Sequence, residues 1–211
     1  MKSNNVNALE SDIIALSRKD HDAICAASYK HPLGFLIRFL MYTGITMAEL
    51  LVLSWCDIDL QTNRLYIPQL LIPTNNYYLK HPEVQSRYVP LLPFLREELL
   101  EWEFVQKSFC KPYVITAETG AAFATTLTGE PLYPEYLENV FNDILAMCGL
   151  PPVPIRALRD TYAVFVLGCG LNLYSFNEIM GDINAADYYG NYLKTINNAA
   201  RPVDNIMQGR W

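Results

Sequence analysis

Histidine is scarce, with three in 211 residues, and the five cysteines (Cys25, Cys56, Cys110, Cys148 and Cys169) stand far apart. There is no C-x-x-C pair and no histidine at zinc-finger spacing. That argues against both a disulfide framework and a structural metal site, and the thiols are expected to be reduced and buried. Long apolar runs are missing as well. FLIRFLMY is interrupted by Arg38, and AVFVLGCGLNLY is too short and too rich in glycine to span a bilayer, which takes about twenty residues. The N-terminal stretch MKSNNVNALESD has none of the apolar character of a signal peptide. A cytoplasmic protein with no membrane attachment is expected. Internal repeats and low-complexity tracts are also lacking.

The chain has no excess of positive charge, since its formal net charge is −6. That balance speaks against a large nucleic-acid footprint. The acidity is local, however. Residues 90 to 150 set nine acidic side chains against Arg96, Lys107 and Lys111, while the segments on either side are each neutral. A basic face elsewhere is compatible with this distribution. With 51% hydrophobic residues, the length suffices for one domain with a full core.

Periodicity and capping signals predict a mainly α-helical domain with a small antiparallel β-sheet, an α+β chain. Ser17 is placed to cap a first helix. PLGFLIRFLMY predicts a second, stopped at Thr43-Gly44, and MAELLVLSW a third. RLYIPQLLI and SRYVPLL are rich in Tyr, Ile and Val and flank turn-forming residues, which predicts antiparallel strands between residues 62 and 92, with the prolines at edge positions. Helices follow in LPFLREELLEWEFVQ, in PEYLENVFNDILAMC ahead of Gly149, in PIRALRDTYAVFVLG, in YSFNEIM and in NAADYYGNYLKTI.

Two features carry chemistry. Arg156 and Arg159 are three apart, so on a helix both guanidiniums project from one face and could grip a phosphate. Either could instead pair with Asp160 or another carboxylate. Tyr188, Tyr189 and Tyr192 follow in a helical stretch. A phenol is a poor nucleophile unless cations stabilise its phenolate, and most buried tyrosines are packing residues.

The order of these pieces carries more information than any one of them. T-G-I-T-M-A-E-L-L-V-L-S-W-C-D-I-D, Lys80 ahead of S-R-Y-V-P-L, R-A-L-R-D-T-Y-A, I-M-G-D and finally Tyr192 together resemble the tyrosine recombinase (phage integrase) family, over roughly residues 15 to 195. The resemblance implies that Tyr192 is the nucleophile, that Arg159 is the second catalytic arginine and that Lys80 is the hairpin lysine. It also shows departures from the pattern. Thr46 stands where the first box has its arginine, Arg156 where the family has a histidine, and Asp160 in place of the next histidine. Asp182 follows Gly181 where a histidine or tryptophan is usual. Tyr188 and Tyr189 come too early to be the nucleophile.

The family breaks DNA by attack of the tyrosine on a backbone phosphate, with no metal or nucleotide cofactor. Arginines stabilise the transition-state charge and a lysine protonates the leaving oxygen. Losing one such donor costs about 10²- to 10³-fold in rate. The resemblance therefore implies a protein that binds double-stranded DNA through Arg159 and Arg156 but is impaired in catalysis. Two alternatives stand beside it: an active recombinase with a rearranged site, and a protein-interaction module that has lost DNA binding. Residues 1–15 are expected to form a polar leader, 16–194 the catalytic domain, and 195–211 a tail through which copies associate on DNA, exchanged in trans. About fifteen residues precede the first helix, where the family usually has a second DNA-clamping domain. Affinity is then expected to be modest and strongly salt-dependent. Arg156, Arg159, Lys80 and Tyr192 are expected to converge on one concave face.

Overall fold

The computed structural model describes residues 13–68, 71–73, 78–80, 86–109 and 122–199. Helix α1 (Arg18–Ser28) begins where Ser17 Oγ accepts the Asp20 amide at 3.2 Å. Helix α2 (Gly34–Thr43) is apolar on every side, and almost all of it is buried. A helix of that kind belongs at the centre of a core. Its one charge, Arg38, is satisfied there: Nε donates to Glu98 Oε2 at 2.7 Å, Nη1 donates to Ser28 Oγ at 3.1 Å, and the guanidinium lies 3.7 Å from the Tyr29 ring centroid.

Helix α3 (Met47–Val52) is shorter than its sequence pattern predicts. Leu53 is extended, its carbonyl accepts the Phe123 amide at 2.9 Å, and Ser54 forms a bridge with Ala122. These tertiary hydrogen bonds take over from the helical ones, and a 3₁₀ turn at Trp55–Asp57 follows. Trp55 Nε1 donates to the buried Gln106 at 2.6 Å, and Gln106 Nε2 donates in turn to the Phe123 carbonyl at 2.9 Å.

Strands β1 (Ile58–Asp59), β2 (Arg64–Ile67), β3 (Leu71–Pro73), β4 (Tyr78–Lys80) and β5 (Arg87–Pro90) make two antiparallel sheets, of order β1-β2-β5 and β3-β4. Pro90 ends the edge strand β5, where it breaks no ladder. The remaining helices are α4 (Pro93–Phe109), α5 (Pro134–Met147), α6 (Arg156–Gly168), α7 (Leu173–Met180) and α8 (Ala185–Ala199). One large core gathers around α2 with α1, α4, α5 and the sheet, and a smaller one joins α6, α7 and α8.

Two sequence expectations change here. Cys56 and Cys169 are exposed and Cys25 and Cys148 half-buried, so the thiols are not uniformly interior; Cys56 sits in the surface 3₁₀ turn and Cys169 just past the end of α6. Cys110 lies outside the described residues. Helix α8 continues past residue 194 to Ala199, and residues 200–211 of the expected tail lie outside the described residues. Among the described residues, no helix is long and apolar enough to cross a membrane, and no group of three or more His, Cys, Asp or Glu is placed to hold a metal ion.

Candidate active site

The turn between α2 and α3 depends on Gly44, the left-handed C-cap of α2 with φ +65°. A Cβ built there would come within 2.1 Å of the Tyr162 ring on α6, so glycine is required for both backbone and space. Thr46 then starts α3 as its N-cap. Its hydroxyl accepts the Glu49 amide at 3.1 Å, and its own amide donates to Glu49 Oε2 at 2.7 Å, a reciprocal capping box.

Glu49 is buried and pairs with an arginine that the sequence pattern leaves unassigned. Arg87, itself 7% exposed, donates from Nη1 to Glu49 Oε1 at 2.6 Å and from Nη2 to Oε2 at 3.1 Å. Burial pushes the Glu49 carboxyl up, but the Arg87 fork, the Thr46 amide and the nearby Arg159 charge outweigh it and hold the group below its ordinary value. Arg87 Nε donates to the Ile179 carbonyl at 2.7 Å. A signal for this residue does exist in the sequence. In R-Y-V-P the alternation that turns Val89 inward also turns Arg87 inward, and a buried arginine calls for a buried carboxylate.

Arg159 reaches from α6 into the same region. Nη1 donates to the Gly44 carbonyl and Nη2 to the Met180 carbonyl, the latter at 2.7 Å. No carboxylate among the described residues forms an ion pair with it. Burial lowers its proton affinity, and the charges of Glu49 and Asp182 partly restore it. Asp182 is exposed, follows the left-handed Gly181 that ends α7, and accepts the Asn184 amide at 2.8 Å. Arg156, the first residue of α6, is exposed and makes no ion pair with a described residue.

Asp160 pairs with neither arginine. Its buried carboxylate accepts the Tyr189 hydroxyl at 2.8 Å and the Ile14 amide at 3.1 Å. Burial first, and the Asp160 charge next, raise the Tyr189 phenol far above its ordinary value, so Tyr189 is a packed hydrogen-bond donor. Tyr192 lies one turn further along α8 and is half-buried; burial and then Asp160 raise its phenol too. Helices α6 and α8 pack together, which puts Tyr192 on the element beside Arg159, and no hydrogen bond joins the two among the described residues. The main chain of Lys80 lies at the end of β4, opposite Leu71, and its side chain lies outside what is described.

The mainly helical domain with its small antiparallel sheet has the fold of solved tyrosine recombinase structures, the family that the sequence resembles. No family model matches the chain. It is 25% identical over 195 residues to a tyrosine recombinase XerC-like protein of Caldanaerobacter subterraneus subsp. tengcongensis, covering 83% of this chain and 49% of the relative. The chain thus spans about half the length of that curated relative. Its fold matches the crystal structure of the XerH site-specific recombinase bound to a palindromic difH substrate, with TM-score 0.68, 19% identity, and coverage of 93% of this chain and 55% of XerH. It also matches the catalytic domain of bacteriophage HP1 integrase, with TM-score 0.54, 15% identity, and coverage of 92% and 99%.

Proposed function

We propose that the chain is the catalytic part of a DNA-binding, tyrosine recombinase-like protein of DNA recombination and integration, with backbone phosphate held by Arg159 and Arg156. The observation that carries this reading is the state of Arg159. Its guanidinium is oriented by two carbonyl oxygens rather than neutralised by a carboxylate, which keeps its charge available to an anion. Arg156, exposed one turn earlier, adds a second fork on the same helix.

In this reading Tyr192 gives its phenol proton to solvent and its oxygen bonds to the phosphorus as the P–O5′ bond breaks, and the departing 5′ oxygen takes a proton from Lys80. No metal or cofactor takes part. Thr46 is short and its hydroxyl is engaged as a cap, so it does not replace a guanidinium at the phosphate. The Asp182 charge opposes phosphate entry. Cleavage is therefore slow and binding outlasts it. Partners are double-stranded DNA and other copies of the chain, associated through the C-terminal segment.

The experiment is adduct trapping on a nicked duplex by wild type, Tyr192→Phe and Arg159→Ala, alongside a salt titration of duplex binding. A weak adduct that Tyr192→Phe abolishes, with affinity falling steeply as salt rises, is expected. Brisk cleavage by the wild type would favour an active site rearranged around Arg156. Binding that ignores salt would favour a protein-interaction module.

A further inference from the structure

Arg87 and Arg159 span the same two elements. Arg159 joins the Gly44 carbonyl, in the turn before α3, to the Met180 carbonyl at the end of α7. Arg87 joins Glu49, in the first turn of α3, to the Ile179 carbonyl, one residue earlier on α7. The two guanidiniums are thus neighbouring rungs between the α2–α3 turn and the last turn of α7. Space below Gly181 is committed to this arrangement, since a Cβ there would come within 2.8 Å of Arg87 Cδ and Nη1. Helix C-termini leave carbonyls without intrahelical partners, and here two guanidiniums take successive ones.

We propose that Arg87 is a positioning residue of the phosphate site: by clamping Glu49 and the Ile179 carbonyl it fixes the distance between the two carbonyls that aim Arg159. The inference rests on the reading of Arg159 as a phosphate ligand. Arg87 touches no substrate itself. Its fork is spent on Glu49 and its Nε on the main chain, so its effect on DNA passes through Arg159. Lysine cannot do the same, because one ammonium lacks the planar reach to hold a carboxylate edge-on and a carbonyl beyond it.

The test has two arms, using the full chain. In the first, nitrogen NMR of the arginine side chains is compared in wild type, Arg87→Lys and Arg87→Met, with Arg159→Lys assigning the Arg159 signals. Wild type is expected to show separate Nη1 and Nη2 signals for Arg159, because its two bonds hinder rotation, and both Arg87 variants to merge them. Separate signals in a folded variant would overturn the proposal. Arg87→Lys keeps a cation beside Glu49 and so remains measurable where Arg87→Met does not fold. In the second arm, duplex DNA affinity should fall about tenfold in Arg87→Lys, the scale of one charge-assisted hydrogen bond. The double variant with Arg159→Ala should bind no more weakly than Arg159→Ala alone, whereas losses that multiply would overturn the proposal. If wild type itself shows no salt-dependent binding to DNA, the reading of the site fails, and the NMR arm still decides what Arg87 does.

Discussion

Thr46 gives α3 its start, and that task carries a measurable energy. Thr46→Ala removes the hydroxyl that accepts the Glu49 amide and is expected to cost about 1 kcal/mol, read by chemical denaturation, with Thr46→Ser close to wild type. Thr46→Arg should lose the same cap while keeping the bond from its own amide to Glu49, so its fold survives with a similar deficit. Any Tyr192-dependent adduct should rise in that variant, because the guanidinium restores charge at the phosphate. Glu49 adds a pH signature. Its folded carboxyl titrates below the ordinary value of 4.5, so its stabilisation is present above that value and drains away as the pH falls through and beneath it. Glu49→Gln should flatten that part of the acid limb in a melting-temperature profile. At neutral pH it should also cost about 3 kcal/mol or more, since Arg87 is left buried without its counter-charge.

Among the elements, α8 is tied to α6 by the side-chain bond between Tyr189 and Asp160. Tyr189→Phe strips Asp160 of a donor in a buried setting and is expected to destabilise by about 1 to 3 kcal/mol, with hydrogen exchange quickening along α8. The helices themselves were legible in the sequence because their signals are local. Ser17 caps α1, Gly44 and Gly181 stop α2 and α7, and the apolar periodicity of α4 and α5 marks their buried faces. The end of α3 was not legible, because Phe123 and Ala122, some seventy residues away, supply the bonds that unwind Leu53 and Ser54. Arg159 and Thr46 stood out through the ordered motifs. Arg87 showed only as an inward position in the R-Y-V-P alternation, with its Glu49 partner hidden on a distant element, and the Tyr189–Asp160 pair gave no local signal.

At the scale of the molecule, the protonation of Tyr192, the nucleophile in the proposed reaction, sets how adduct formation should respond to pH. Tyr192 stays a phenol beyond its ordinary value of 10.0, so attack through the phenolate should make adduct formation rise by about tenfold per pH unit from 7 to 9 on a nicked duplex. A flat profile would mean that a protein base takes the proton. The chain's first described residues bear on α6 as well. Ile14 and Leu16 donate main-chain amides to Asp160 and, at 2.8 Å, to Thr161, the two residues that follow Arg159. Because the donors are amides, every side-chain change except proline preserves them. Ile14→Pro is accordingly expected to weaken duplex binding more than Ile14→Ala does, as measured by DNA titration at fixed salt. The irregular segment works as a leash on the helix of Arg159: tension applied to residues 13–17 is delivered to the two residues that follow Arg159, the proposed phosphate ligand, whatever supplies the pull.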